Sequence, residues 1–248
     1  MATLVGTPSD QVSEILATGR SDVTTLFVSF SARHPESRDV HYIEWHSLDH
    51  RPEQHRLPTL RASLRLVSTP ACRDARAARA ERFDAVDHVM SYFFAGPDLT
   101  GFVELSTALR EAGRTPELLP LVERGVYGLT GMVAAPRIKV GADVLPQWPA
   151  LGVYLLVEEG TASPAALVEH PGVGGAWWFT GDAGDASETS AVTSGLQSTY
   201  LYLDGDPVEV GRSLRSVLEK RWADGSTVPL LAAPFYPITP YQWDRYLP

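Results

Sequence analysis

The feature that most constrains this chain is an order of strands and helices that runs through once and then runs through again. Alternation and apolar runs predict strands over "TLFVSFSAR" (25–33), "LRASLRLVS" (60–68), "HVMSYFFAG" (88–96) and "VYGLTGMVAAPRI" (126–138). A helical period fits 39–57 and again "LTGFVELSTALREAG" (99–113), which Gly113 stops. The second pass has strands over 151–159, 175–181, 198–205 and 228–236. Its helices are a short one over 163–171, with Ser163 as N-cap and Pro164 at the first position, and a long one over 207–225. A polar Ser/Gly-rich loop fills 181–195.

Each pass reads β-α-β-β-α-β, the order of a ferredoxin-like unit. Such a unit carries helices on one face of its sheet and must bury the other. Two units in one chain meet that need mutually, sheet facing sheet. "VMSYFFAG" has no solvent-facing alternation, as a strand covered on both sides requires. The expected fold class is α+β: two tandem ferredoxin-like (βαββαβ) halves packed as an intramolecular pseudo-dimeric α/β barrel. Residues 1–147 make the first half and 148–248 a degenerate second, joined through "VGADVLPQWPA". Leu26 to Gly152 spans 126 positions but Leu60 to Val173 only 113, so the second copy has a shorter first helix.

What the first copy keeps there is "HYIEWHSLDHRPEQHRLP" (41–58), with four of the seven histidines. On a helix His46 and His50 share a face and Asp49 lies close. Tyr42 and Glu53 fall on the same side, while His41 and His55 point away. Pro52 lacks an N–H and predicts a kink or break near 49–51. Three readings fit these residues. In one, Trp45 and His50 pack the helix onto the sheet. In another, His50, oriented by Asp49 or His46, moves a proton on a bound small molecule; an ordinary pKa of about 6.5 suits it. In the third, His46, His50 and a carboxylate hold a metal, though no distant third ligand is evident.

On the next strand Arg61, Ser63 and Arg65 face opposite to Leu60, Ala62, Leu64 and Leu66. Two arginines on a covered strand need acidic partners or an anionic ligand such as a carboxylate or enolate. Tyr92 and Phe94 supply an aromatic wall. Trp177, Trp178 and Phe179 are adjacent and read as core, and "YPITPYQWDRYLP" (236–248) reads as a tail wrapping the barrel.

Trp45, His50, Pro52 and Leu57-Pro58-Thr59-Leu60 together resemble the EthD-like branch of the dimeric α/β-barrel superfamily, where a Trp…His-x-Pro helix runs into a Leu-Pro-Gly-Leu turn. Thr59 departs from the glycine; His170-Pro171-Gly172-Val173 keeps it in the second copy, without the Trp…His upstream. The resemblance implies a small-molecule enzyme working without metal or organic cofactor. It would be a cyclase, dehydratase, isomerase or monooxygenase acting on a hydrophobic substrate. On that reading His50, His46 and Asp49 are catalytic, and Tyr42, Trp45, Arg61, Arg65, Tyr92 and Phe94 line the substrate. Two alternatives stand beside it: a haem-binding, chlorite-dismutase-like protein with His170 as axial ligand, and a non-catalytic ligand-binding protein.

Composition excludes other classes. A formal charge of −9 and a pI near 5.2 repel phosphates, so nucleic acid is not an expected partner. No apolar run approaches the roughly 20 residues that cross a bilayer, and no signal peptide is read at the N-terminus, so a cytoplasmic protein is expected. Cys72 stands alone and reads as a small semi-buried residue. No G-x-G-x-x-G or P-loop follows a strand. The expected partner is a small hydrophobic molecule, with a homodimer of pseudo-dimers also open to this architecture.

Overall fold

The computed structural model describes residues 4–11, 19–116, 118–181 and 195–248, so most of the loop expected over 181–195 lies outside the described residues. Strands are β1 (Thr25–Ser31), β2 (Leu60–Val67), β3 (Ala78–Arg79), β4 (His88–Phe94), β5 (Leu121–Ala134), β6 (Gly152–Glu159), β7 (Val173–Thr180), β8 (Leu196–Leu203) and β9 (Val228–Pro237). The α-helices are α1 (Asp39–Trp45), α2 (Arg51–Gln54), α3 (Pro70–Asp74), α4 (Thr100–Glu111) and α5 (Pro207–Trp222). The result is a mixed α+β fold.

The strands form one antiparallel sheet in the order β2-β4-β1-β5-β7-β8-β6-β9-β3, and β9 also meets β2, so the sheet closes in barrel-like fashion. The sequence leads one to expect two four-stranded sheets packed face to face; the strands instead form one continuous sheet, joined edge to edge through β5–β7 and β2–β9. Open edges leave rows of unpaired N–H and C=O groups, which closure satisfies. The joint explains why β5 starts at Leu121, ahead of the expected 126, and ends at Ala134, before the expected 138. Residues Leu121–Gly128 pair with β1, and Gly128–Ala134 carry on to pair with β7.

Inside the ring lie Leu26, Val28 and Phe30 of β1, Phe93 of β4, Trp177 and Phe179 of β7 and Tyr200 of β8. The Phe93 ring sits 5.8 Å from Trp177, 5.9 Å from Phe179 and 5.8 Å from Tyr200, tying early strands to late ones. Each such side chain fully buried contributes about 1.5–3 kcal/mol.

The outer face is covered unequally. Asp206 caps α5 by accepting from the amides of Val208 and Glu209, with Pro207 at the first position. Val210, Leu214 and Leu218 of this helix then fill the layer over Tyr154, Leu156, Leu201 and Leu203. The helix expected over 163–171 is only a 3-10 turn, Ala165–Glu169, which presses Leu167 and Val168 into the same layer. Over β4, β1 and β5 the cover is α4 and the helical run from Asp39 to Gln54. The irregularity expected near 49–51 is present, and the run stays helical through it. It widens into a π-turn, His46–His50, in which the Arg51 amide reaches the His46 carbonyl. Pro52 has no N–H for the Leu48 carbonyl and its ring crowds that position, so the turn before it takes up an extra residue.

At the C-terminus Tyr246 stacks on Tyr236 with centroids 4.0 Å apart, while Tyr241 is 80% exposed. The tail therefore returns to the barrel at its end, with Tyr241 left in solvent.

Candidate active site

Between the helical run and α4 lies a cleft of about 410 Å³. Its floor is the outer face of three neighbouring strands. Met90 of β4, Ser29 of β1 and Arg124 of β5 are directly opposite one another, and so are Tyr92 and Phe27. Arg65 of β2 extends the first of these rungs beyond Met90. One wall carries Tyr42, Trp45, His46 and His50; the other carries Phe102, Ser106 and Arg110 of α4.

The π-turn gathers the first wall. Residues four and five apart both become neighbours, so His50 lies 5.4 Å from His46 and 5.4 Å from Trp45, ring centre to ring centre. Tyr42 stacks on His46 at 5.7 Å. His46 is buried, and burial, aided by the Arg65 charge, holds its pKa well below the ordinary histidine value. The Tyr92 hydroxyl is 3.4 Å from His46 Nε2, and burial pushes that phenol's pKa up, so it keeps its proton. His50 is half-buried; burial lowers its pKa, with Asp49 opposing. Gln54 Nε2 lies 3.4 Å from His50 Nε2 and donates to Ser106 Oγ at 2.9 Å. The Nδ1 atoms of both His46 and His50 are buried without a partner among the described residues.

A second polar group lies under this wall, and sequence reasoning missed it. His88 Nε2 is 2.8 Å from Asp39 Oδ1, and His88 Nδ1 is 3.2 Å from Arg65 Nη2. A guanidinium only donates, so Nδ1 accepts and the single proton of a neutral ring sits on Nε2, aimed at Asp39. Burial lowers the His88 pKa to about 4. The Arg65 guanidinium stands 4.7 Å over the Tyr42 ring and fixes the base of the wall. The available signal was period two: His88 shares the outward face of β4 with Met90 and Tyr92.

Tyr42, Trp45, His46, His50 and Tyr92 all line the cleft. Arg65 sits beneath Tyr42, and Phe94 packs behind Phe102 at 5.4 Å. Two predicted residues go elsewhere. Asp49 does not orient His50: Arg114 takes its carboxylate at 2.7 Å toward solvent. Arg61 does not face the cleft. The register shifts between Leu60 and Ala62, turning Leu60 to the outer core and sending Arg61 to Asp22 at 2.6 Å. His41 is exposed, and His55 turns to Ser63 at 2.7 Å. Sequence reasoning also missed Arg110, Arg124 and Ser106.

Among the described residues no three His, Cys, Asp or Glu side chains gather as a metal site, and no helix is long and apolar enough to cross a membrane. His170 does not fit haem ligation. Its Nδ1 is 2.8 Å from the Pro171 carbonyl on a surface turn, and the neighbouring layer is filled by the apolar side chains under α5. Cys72 is buried, and burial raises its thiol pKa.

No family model matches the sequence, and no curated protein matches it. Solved structures do. A chlorite dismutase-like protein superposes with a TM-score of 0.50 at 11% identity, covering 88% of this chain and 95% of that one. An anthrone oxidase-like protein gives 0.41 at 11% identity over 88% and 92%. A dye-decolorizing protein from V. cholerae gives 0.43 at 12% identity over 87% and 93%. By the first of these likenesses, which extends over nearly the whole of both chains, this protein shares the fold of that chlorite dismutase-like protein.

Proposed function

We propose that the chain is a small-molecule enzyme that moves a proton on an aromatic or polyketide-like substrate with its own side chains. The observation that carries this reading is the pair of uncharged imidazoles, His46 and His50, held 5.4 Å apart on the wall of an aromatic-floored cleft, each with an unsatisfied ring nitrogen. A neutral imidazole is a base. His50, the more accessible of the two, takes the proton from an acidic C–H or O–H of the bound molecule. Negative charge then develops on the substrate over a floor where Arg65 and the half-buried Arg51 supply positive potential. The protonated His50 returns that proton to the substrate, while Tyr92, which keeps its own, lies within 3.4 Å of His46 Nε2 and steadies that ring. Proton abstraction is the step common to cyclisation, dehydration and isomerisation, and a deprotonated electron-rich ring also reacts with dioxygen.

The same reading takes the chain as a duplication, 1–147 and 148–248. Two observations support it. The strand orders β5-β1-β4-β2 and β9-β6-β8-β7 correspond position by position. The turns before β2 and β7 are closed by the same bond, Leu60 amide to Leu57 carbonyl and Val173 amide to His170 carbonyl, at 3.1 Å each. In the second copy the cleft has been filled, which leaves one site per chain.

Deuterium exchange from D2O into a panel of aromatic ketones and hydroxyarenes, read by mass spectrometry, tests the chemistry. The wild type is expected to accelerate exchange, and His50→Ala to slow it by roughly 10²–10⁴-fold. Compounds that bind and exchange no faster than in buffer would make the protein a carrier instead.

A further inference from the structure

We infer that the natural ligand of this cleft is an anion whose carboxylate rests on Arg110 and Arg124, which line it; the inference builds on the proposed site.

The chain carries 30 Asp and Glu against 21 Lys and Arg, yet no acidic side chain is among the described residues lining the cleft. Two cations are. Arg110 stands in the last turn of α4, and Arg124 stands on β5. Both are exposed, and neither side chain has an ion-pair or hydrogen-bond partner among the described residues. Three other arginines near the cleft are already engaged. Arg114 holds Asp49 and Glu53, Arg61 holds Asp22, and Arg65 is bound to His88. In an acidic protein, two arginines lining one cleft with no partner among the described residues form a local anion trap.

Their position sets the shape of the ligand. Arg124 lies on the same rung as Ser29 and Met90, two strands from β4, which is about 10 Å across the sheet. The histidine wall rises on the β4 side. Phe27, Tyr92 and Phe102 lie between, with Phe27 and Phe102 centroids 5.1 Å apart and Tyr92 and Phe102 4.9 Å apart. A one- or two-ring aromatic body covers that floor, with its acidic group at the arginines and its reactive position at His50. Guanidinium favours carboxylate by paired donors, so the acid is selected over its neutral isostere.

Calorimetric titration of the full chain with matched aromatic acids and their primary amides, such as 2-naphthoate and 2-naphthamide, tests this. The acid is expected to bind at least 10-fold tighter than the amide at low salt, and the margin should shrink with added salt. Arg110→Gln and Arg124→Gln should each weaken the acid about 3–30-fold and leave the amide unchanged. Arg212→Gln, on the exposed side of α5, removes the same charge elsewhere and should change neither. Equal affinities for acid and amide would overturn the inference while leaving the cleft a ligand site. So would an equal loss in all three variants. Binding of neither compound class by natively folded protein would overturn the cleft reading together with it.

Discussion

His88 shares its one proton with Asp39 at 2.8 Å and accepts from Arg65 on its other nitrogen at 3.2 Å. The ring is completely buried, and its pKa lies at about 4. An unfolded histidine takes up its proton near pH 6.5, the folded one only near 4. Stability contributed by the neutral ring is therefore complete above pH 6.5, lost as pH falls from 6.5 to 4, and level below that. The full loss is on the order of 3 kcal/mol. The Asp39 carboxyl is held below its ordinary range, so its contribution disappears only at lower pH still. Urea unfolding at pH 7.5 and 4.5 measures the difference; equal midpoints would contradict a buried neutral ring.

The histidines of the 41–58 run should separate by position. His50→Ala should slow turnover by roughly 10²–10⁴-fold and, as a half-buried residue, cost less than about 1.5 kcal/mol of stability. His41→Ala, at an exposed site, should change neither. A His50→Ala protein with normal turnover would remove the base from the mechanism.

Gly172 has φ +90°, and a Cβ there would meet Val210 Cγ2 at 2.5 Å. Thr59, its counterpart before β2, is not among the positive-φ residues. Gly172→Ala should therefore cost about 1–3 kcal/mol, while Thr59→Gly should cost under about 1 kcal/mol. Melting temperatures of the two variants read this directly, and similar losses would refute the asymmetry.

Glu158 is fully buried and takes two bonds from Arg221, at 3.0 Å each, and one from Trp222 Nε1 at 2.7 Å. Arg221→Met would strand that carboxylate under α5. A loss of about 3–5 kcal/mol is expected, with recovery of part of it in the double variant Arg221→Met, Glu158→Gln. No recovery would mean that packing, not charge, is at stake.

The order of elements was legible because period-two and period-3.6 patterns are written in apolar residues such as those of 88–96 and 207–225. The wall of the cleft was legible too, since His46 and His50 needed only helix phase. What the sequence hid depends on register and on long-range partners. A one-residue bulge at Arg61 moved it out of the site while Arg65 stayed. Arg114, 65 positions from Asp49, claimed the carboxylate assigned to His50. His88 and Asp39 lie 49 positions apart, and no local pattern announces their contact. The π-turn was anticipated only as a break: Pro52 fixes where the helix must give way but not how.

The seam that closes the barrel is slight. β5 and β7 are joined along six facing pairs, but β2 and β9 by only two, Leu66 with Pro237 and Val67 with Tyr236. The next bond along, from the Ile238 amide to the Arg65 carbonyl at 3.1 Å, belongs to the tail. The chain's last residues thus work as a latch on β2, fastened to the backbone of the arginine whose side chain braces Tyr42 and His88. A change in the tail's hold would therefore bear directly on the strand that carries Arg65 beneath the cleft.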